Sequence, residues 1–250
     1  MSKYFNVELK PTIAASKQHA GTFTAGMVIF DWQPIQVPRG TVCLTDLTVM
    51  VRAKGDATPT NNDLGCNFVF SKTNTVSLGT VRAALDHRPS DDFLGIVELI
   101  AGNFGAAAFQ STTIATTSNN STGGAAHPPI TMTPDVTTGD NVGYDTIYVG
   151  MVAAGTFDFQ SINTVNETGF DAAAQTVITM DDGSGGTTMD CREHFAAGDV
   201  LHAQDDAVLG TLASAAAQAI TLTAANTAAI AENDVIYNIN PVKLILGFER

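Results

Sequence analysis

Basic side chains are scarce: 12 Lys and Arg stand against 25 Asp and Glu in 250 residues, a formal net charge of −13. Sequence-independent nucleic-acid binding needs Lys and Arg to displace counterions from the phosphate backbone, so this balance excludes it and disfavours an anionic membrane surface. Charge of either sign is sparse, at 15% of residues against about 25% in an average globular protein. The polar surface must therefore be built largely from Thr, Asn, Ser and Gln. The longest apolar stretches, around residues 96–101 and 147–154, fall short of the ~20 residues needed to span a bilayer as a helix. The first ten residues carry Lys3, Glu8 and Lys10 where a signal peptide would need an apolar run, so secretory export is not expected. The three cysteines, Cys43, Cys66 and Cys191, form no C-x-x-C pair, which fits thiols kept reduced in a bacterial-type cytoplasm; each is expected to be a small buried apolar residue. One Trp, Trp32, and four Tyr give little of the aromatic platform on which sugars stack, and Trp32 reads as a packing anchor at a strand end.

What is present points to a sizeable folded core. Hydrophobic residues make up 44% of a chain long enough to bury them without disulfides or metals. The charge is unevenly placed: residues 1–90 carry nine bases against six acids, residues 91–242 one base, Arg192, against eighteen acids. A solvated acidic surface accounts for this, and so does a polar molecule with a basic docking side and an acidic outward side.

The dominant periodicity is two. Leu47, Val49 and Val51 alternate with Thr48, Met50 and Arg52 as in a half-buried strand. Val42 and Leu44 hold the opposite phase, so a bulge near Thr45 and Asp46 is needed to keep both sets on one face. Cys66, Phe68 and Phe70, then Phe157 and Phe159, then Ile220 and Leu222 alternate likewise, while residues 147–152 are apolar on both faces, as in a central strand. Short helices are expected over 13–20 and 224–231. Residues 111–140, rich in Thr, Ser, Asn, Gly and Pro, read as a long exposed loop or arm. A composition change near Phe170 sets two units: an antiparallel β-sandwich of jelly-roll-like topology over 1–170, and a small β-barrel-like unit over 171–250. The second contains two related strand starts, Ala197-Gly-Asp-Val-Leu201 and Glu232-Asn-Asp-Val-Ile236. Its last apolar alternation, Val242, Leu244, Leu246 and Phe248, is regular enough to pair back into either unit.

Material for chemistry is thin. Cys191 and His194 at C-x-x-H spacing, with His202 eight residues on, could supply three zinc ligands, but no second pair completes a structural site, so no metal and no cofactor are expected. Asp181-Asp-Gly-Ser-Gly-Gly186 lacks the Lys of a phosphate loop and the closing Glu of an EF-hand, and reads as a hairpin turn. Asp86, His87, Ser90 and Asp91 hold the residue types of a hydrolase triad without the strand-turn-helix that would present them. No enzyme is expected.

An acidic, Lys/Arg-poor β chain with Ile35-Gln-Val-Pro-Arg-Gly-Thr-Val42, Phe195-Ala-Ala-Gly-Asp-Val-Leu201, Leu209-Gly-Thr-Leu212 and Ile220-Thr-Leu-Thr223 resembles the accessory virion proteins of tailed bacteriophages, particularly marine cyanophages. The resemblance implies a virion location and a capsid decoration or cement protein, binding the major capsid protein from outside as a homo-oligomer, with a trimer favoured. Lys3, Lys10, Lys17, Arg39 and Arg52 would then face the capsid, and the acidic 181–206 region would face outward. A tail- or fibre-associated protein touching the host through the 111–140 loop is the second reading. A polysaccharide-active enzyme on a β scaffold is the third, and it would need the clustered carboxylates that these scattered acids do not suggest.

Overall fold

The computed structural model describes residues 3–52, 63–86, 92–106, 112–117, 130–134, 143–159, 164–165, 174–181, 190–231 and 233–250. These are all-β and antiparallel, in three sheets. The first sheet runs β1 (Tyr4–Leu9), β16 (Val242–Glu249), β3 (Val42–Arg52), β7 (Thr112–Thr116) and β6 (Gly105–Ala106), with β8 (Ile130–Met132) also on β3. The second runs β2 (Val28–Pro38), β9 (Tyr144–Ala153), β4 (Cys66–Ser71) and β5 (Phe93–Leu99). Alternate residues of both sheets interleave in one core: Val49, Leu244, Leu246 and Phe248 from the first, and Phe30, Phe68, Phe70 and Val149 from the second, are almost wholly buried. This is the sandwich that the period-two pattern specifies.

The bulge lies where the change of phase requires it. Gly247 pairs with Asp46 and Phe248 with Leu44, so Thr45 has no partner in the ladder and Leu44 and Leu47 both point inward. The extra residue is held: the Thr45 hydroxyl donates to the Gly247 carbonyl at 3.1 Å, and the Asp46 carboxylate accepts from the hydroxyls of Thr116 and Thr117. β9 is the central strand that apolarity on both faces implies, hydrogen-bonded to β2 on one side and β4 on the other. Its second face packs Val152 with Trp32, Val69 and Leu78 in a smaller outer cluster. Trp32 lies within β2 rather than at its end, and its indole N–H donates to the Val76 carbonyl at 2.9 Å.

The remaining strands, β10 (Thr164–Val165), β11 (Val177–Asp181), β14 (Ala219–Leu222), β13 (Val208–Ala216), β12 (Val200–Ala203) and β15 (Ile236–Asn238), form the third sheet around a separate core that includes Ile178, Leu201, Leu212, Ile220 and Ile236. The expected small barrel is corrected here, because among the described residues no sheet closes. The short strands β10 and β15 end the sheet on its two sides and are not paired with each other. Phe195, Ile230 and the helical turn α2 (Cys191–His194) bring further buried side chains into that core. The two related strand starts are one turn used twice. The Ala196 and Ala231 amides donate to the carboxylates of Asp199 and Asp234, whose own amides donate back to the Ala196 and Ala231 carbonyls. Gly198 and Asn233, each just before the Asp, take the positive φ that Gly and Asn tolerate.

Four other expectations are corrected. The 13–20 helix is present as the shorter α1 (Ala15–His19), but residues 224–231 are irregular, because the Asn226 side chain accepts from the Gln175 amide and donates to the Ala228 carbonyl. Phe157 and Phe159 make a single bridge to Phe23 and an aromatic cluster rather than a strand. The 111–140 stretch contributes β7 and β8 to the first sheet, where Thr113 and Ala115 are buried; the rest of it lies outside the described residues, apart from Thr117 and residues 133–134. Cys43 is only half-buried, unlike Cys66 and Cys191. Residues 171–173, beside the expected boundary near Phe170, are also outside the described set.

The last strand buries five of its eight residues. Phe248 is fully buried and stacks on the half-buried Phe5 ring at 5.3 Å. Phe248→Ala is expected to cost about 3–5 kcal/mol and Phe5→Ala clearly less, read from denaturant midpoints; equal losses would show that burial does not rank these positions.

Candidate functional site

The metal candidates do not converge. Cys191 sits in the third-sheet core with Leu201 and Ala203. His202 lies between those two residues on β12, so the pleat turns it to the opposite face, where it is half-buried and paired in register with Tyr237. His194 is buried against the Phe195 ring. Among the described residues no three His, Cys, Asp or Glu side chains gather as a metal site would require. Burial, and secondarily the neighbouring Asp190 carboxylate, push the Cys191 thiol up to about 12, and burial raises Cys66 as well, so neither is a thiolate nucleophile at neutral pH. His87, Ser90, Asp91 and the 182–186 part of the Asp-Gly-Ser-Gly turn lie outside the described residues.

Of the five basic positions, Lys10 and Arg52 border one cavity. Lys3 and Lys10 flank opposite ends of β1, about 23 Å apart along an extended strand. Lys17 lies on α1 and is half-buried. Arg39 lies 3.7 Å from the buried Asp145 carboxylate, which also accepts from the Gly40 amide at 3.1 Å and so pins the turn after β2. Arg52 is bonded to Asp199 at 3.0 Å.

That cavity, about 280 Å³, has charged walls. Its floor is the outward face of the first sheet, where register places Lys243 opposite Met50 and Arg52 opposite Thr112. Its wall is the Gly198–Asp199 turn of the third sheet, with Asn240 at the rim. Lys243, absent from the sequence-derived set, lies in the final strand, and nothing within that segment signals that it meets Lys10 and Arg52 some 190 or more residues earlier.

A second polar junction tethers the third sheet. α1 has no side-chain N-cap of its own; instead the Asp206 carboxylate accepts from the Ser16 amide at 2.9 Å and the Ser16 hydroxyl at 2.6 Å. Gln18 donates from its amide nitrogen to the carbonyls of Ile13 and Asn238, and the Asn240 amide nitrogen donates to the Lys10 and Pro11 carbonyls. Burial acts to raise the Asp206 pKa, but the Ser16 hydroxyl and amide, His202 and the Ala15 amide outweigh it and hold the carboxyl below its ordinary value of 3.8. These bonds make α1 part of the floor on which β12 and β15 rest.

Comparison with family models and with characterised proteins found no match. Among solved structures, the chain aligns with the infectious bursal disease virus VP2 subviral particle at 9% identity, over 99% of this chain and 41% of that one, with a TM-score of 0.16. The same virus's Gx and Gt strain structures align at 8% and 10% identity, over 99% and 100% of this chain and 40% and 39% of those, with TM-scores of 0.16 and 0.11. The chain thus spans about two fifths of those chains' length, and likeness at this level carries no argument about fold or function.

The depressed Asp206 carboxyl generates a signed prediction. A carboxylate whose folded pKa is lowered contributes stability above its unfolded pKa and loses it as pH falls through the folded value. Asp206→Asn keeps a residue tolerant of the positive φ at this position while removing the charge, and should cost about 1 kcal/mol at neutral pH. The gap to wild type should close as pH falls from about 5 toward 2. A gap independent of pH in urea unfolding would show that Asp206 does not act through its ionised form.

Proposed function

We propose that the chain is a non-enzymatic structural protein of a virus particle, of the capsid decoration or cement type. It would bind the major capsid protein on the outside of a phage head as a homo-oligomer, with a trimer favoured. The observation that carries this reading is the pair of sheet edges at β1 and β5. Each ends its sheet, and each carries exposed apolar side chains: Tyr4 on β1 is 72% exposed and Ile96 on β5 is 59% exposed, with Ile100 exposed just beyond. Edge strands of soluble monomers are ordinarily blunted by charge, proline or a covering loop; here each edge carries a single exposed acid, Glu8 on β1 and Glu98 on β5, and the exposed Tyr4 and Ile96 beside them fit strands that meet neighbouring subunits. A surface so poor in charge desolvates at low cost when β faces pack together. The reading needs no catalytic group, metal or cofactor.

Quantitative mass spectrometry of purified particles tests it. Decoration requires on the order of hundreds of copies per virion, on separated heads rather than tails. A handful of copies, found on tails, would move the protein to the tail-associated class, and absence from particles would refute a virion role. Light scattering of the isolated protein should give three times the 26.1 kDa chain mass, and a stable monomer at micromolar concentration would contradict the oligomer.

A further inference from the structure

We infer that the cavity between the first sheet and the Gly198–Asp199 turn is an oxyanion-binding site, shaped for a carboxylate or phosphate group. Three of the chain's twelve bases, Lys10, Arg52 and Lys243, line this one cavity in a protein of net charge −13. Their convergence follows from register. Leu9 and Leu244 form the last pair of the β1–β16 ladder, and Lys10 follows Leu9 where Lys243 precedes Leu244, so both bases stand at the same end of that pair. Like charges brought to one cavity repel. Arg52, on the next strand but two positions along and on the same outward face, adds a third positive charge.

Two carboxylates answer these three cations among the described residues. Asp199 takes Arg52 at 3.0 Å, and Glu8 takes Lys243 at 2.9 Å. Lys243 holds the Glu8 carboxyl below its ordinary pKa chiefly through that hydrogen bond, against a smaller desolvation effect, while Lys10 acts on Glu8 only at longer range. Glu8 is about half exposed, so water competes with its bond to Lys243, and the ammonium can turn to an incoming anion at little cost. Met50 and Pro241 add apolar surface to the wall. A small oxyanion seated between Lys10 and Lys243 would relieve their repulsion and find N–H donors on one side and methylene contact on the other. The site does not depend on the virion reading: it takes a free anion as readily as one presented by a partner's side chain.

The ¹⁵N-labelled full-length protein, at low ionic strength, is titrated separately with glutarate and with inorganic phosphate. Saturable amide shifts confined to Arg52, Gly198, Asp199, Asn240 and Lys243 are expected with at least one of the two. Saturation by glutarate alone assigns a carboxylate, by phosphate alone a phosphate, and by both a general oxyanion site. Lys10→Gln, at an exposed position, and the Lys10→Gln/Lys243→Gln double variant should weaken binding progressively, the double by about ten-fold or more. Lys17→Gln, outside the cavity, should leave the affinity within about two-fold. Shifts that spread over the surface without saturating, or equal affinity in the double variant and wild type, would overturn the assignment.

Discussion

The last strand, β16, is hydrogen-bonded on both sides, and the rest of the structure depends on that placement. It sits between β1 and β3, pairing Leu244, Leu246 and Phe248 with Leu9, Val7 and Phe5 on one side and with Val49, Leu47 and Leu44 on the other. Without it the opening strand has no neighbour and the central strand of the sheet has an unpaired edge, while four fully buried side chains, Val242, Leu244, Leu246 and Phe248, leave the core. Closing a loop of about 190 residues or more is required before any of these contacts can form. The entropy of that closure grows only slowly with length, but it must be met before burial compensates it.

The same placement sets where the second core stands. The chain leaves the first sandwich after β9, builds the third sheet, and must return through β15 and Pro241 to enter β16. Residues 10–19, which follow β1, lie against that return: the Ile13 amide donates to the Ile239 carbonyl, Gln18 to Asn238, and Ser16 to Asp206. Among the described residues these polar bonds link the segments that carry the two cores. A cavity remains where the Gly198–Asp199 turn meets the outward face of the sheet, and the bases exposed there belong to β3, to β16 and to the residue just past β1.

Much of the sandwich was legible because its side chains are large and alternate without interruption. The phase change between Leu44 and Leu47 forces a bulge whatever the partner strand, and apolarity on both faces of 147–152 can be satisfied only between two packed layers. The repeated Asp turn was readable because it is local chemistry: the Asp side chain closes on an amide three residues back. Strands β7 and β8 were not: Thr113 and Ala115 fill the inward positions of β7 with little hydrophobic contrast, and β8 is only three residues long, with Met132 alone fully buried. Thr is nevertheless a good strand former, and β3 supplies the missing partner. The 224–231 segment resembles a helix by Ala content, but one Asn side chain satisfies its backbone in another way. The cavity was invisible for a different reason: each of its bases is an ordinary outward residue within its own segment, and only the pairing register assembles them.

Native-state hydrogen exchange measures the dependence of the first core on β16 most directly. If β16 completes the first core, the amides of Leu244, Ile245, Leu246 and Gly247 should exchange only by global unfolding, in the slowest class together with those of β3 that face it. Edge strands β1 and β5 should exchange faster, through local opening. Exchange of the β16 amides at the rate of β1 or faster, with β3 still protected, would mean that the last strand docks on a sheet already stable without it, and would contradict the dependence of the first core on β16.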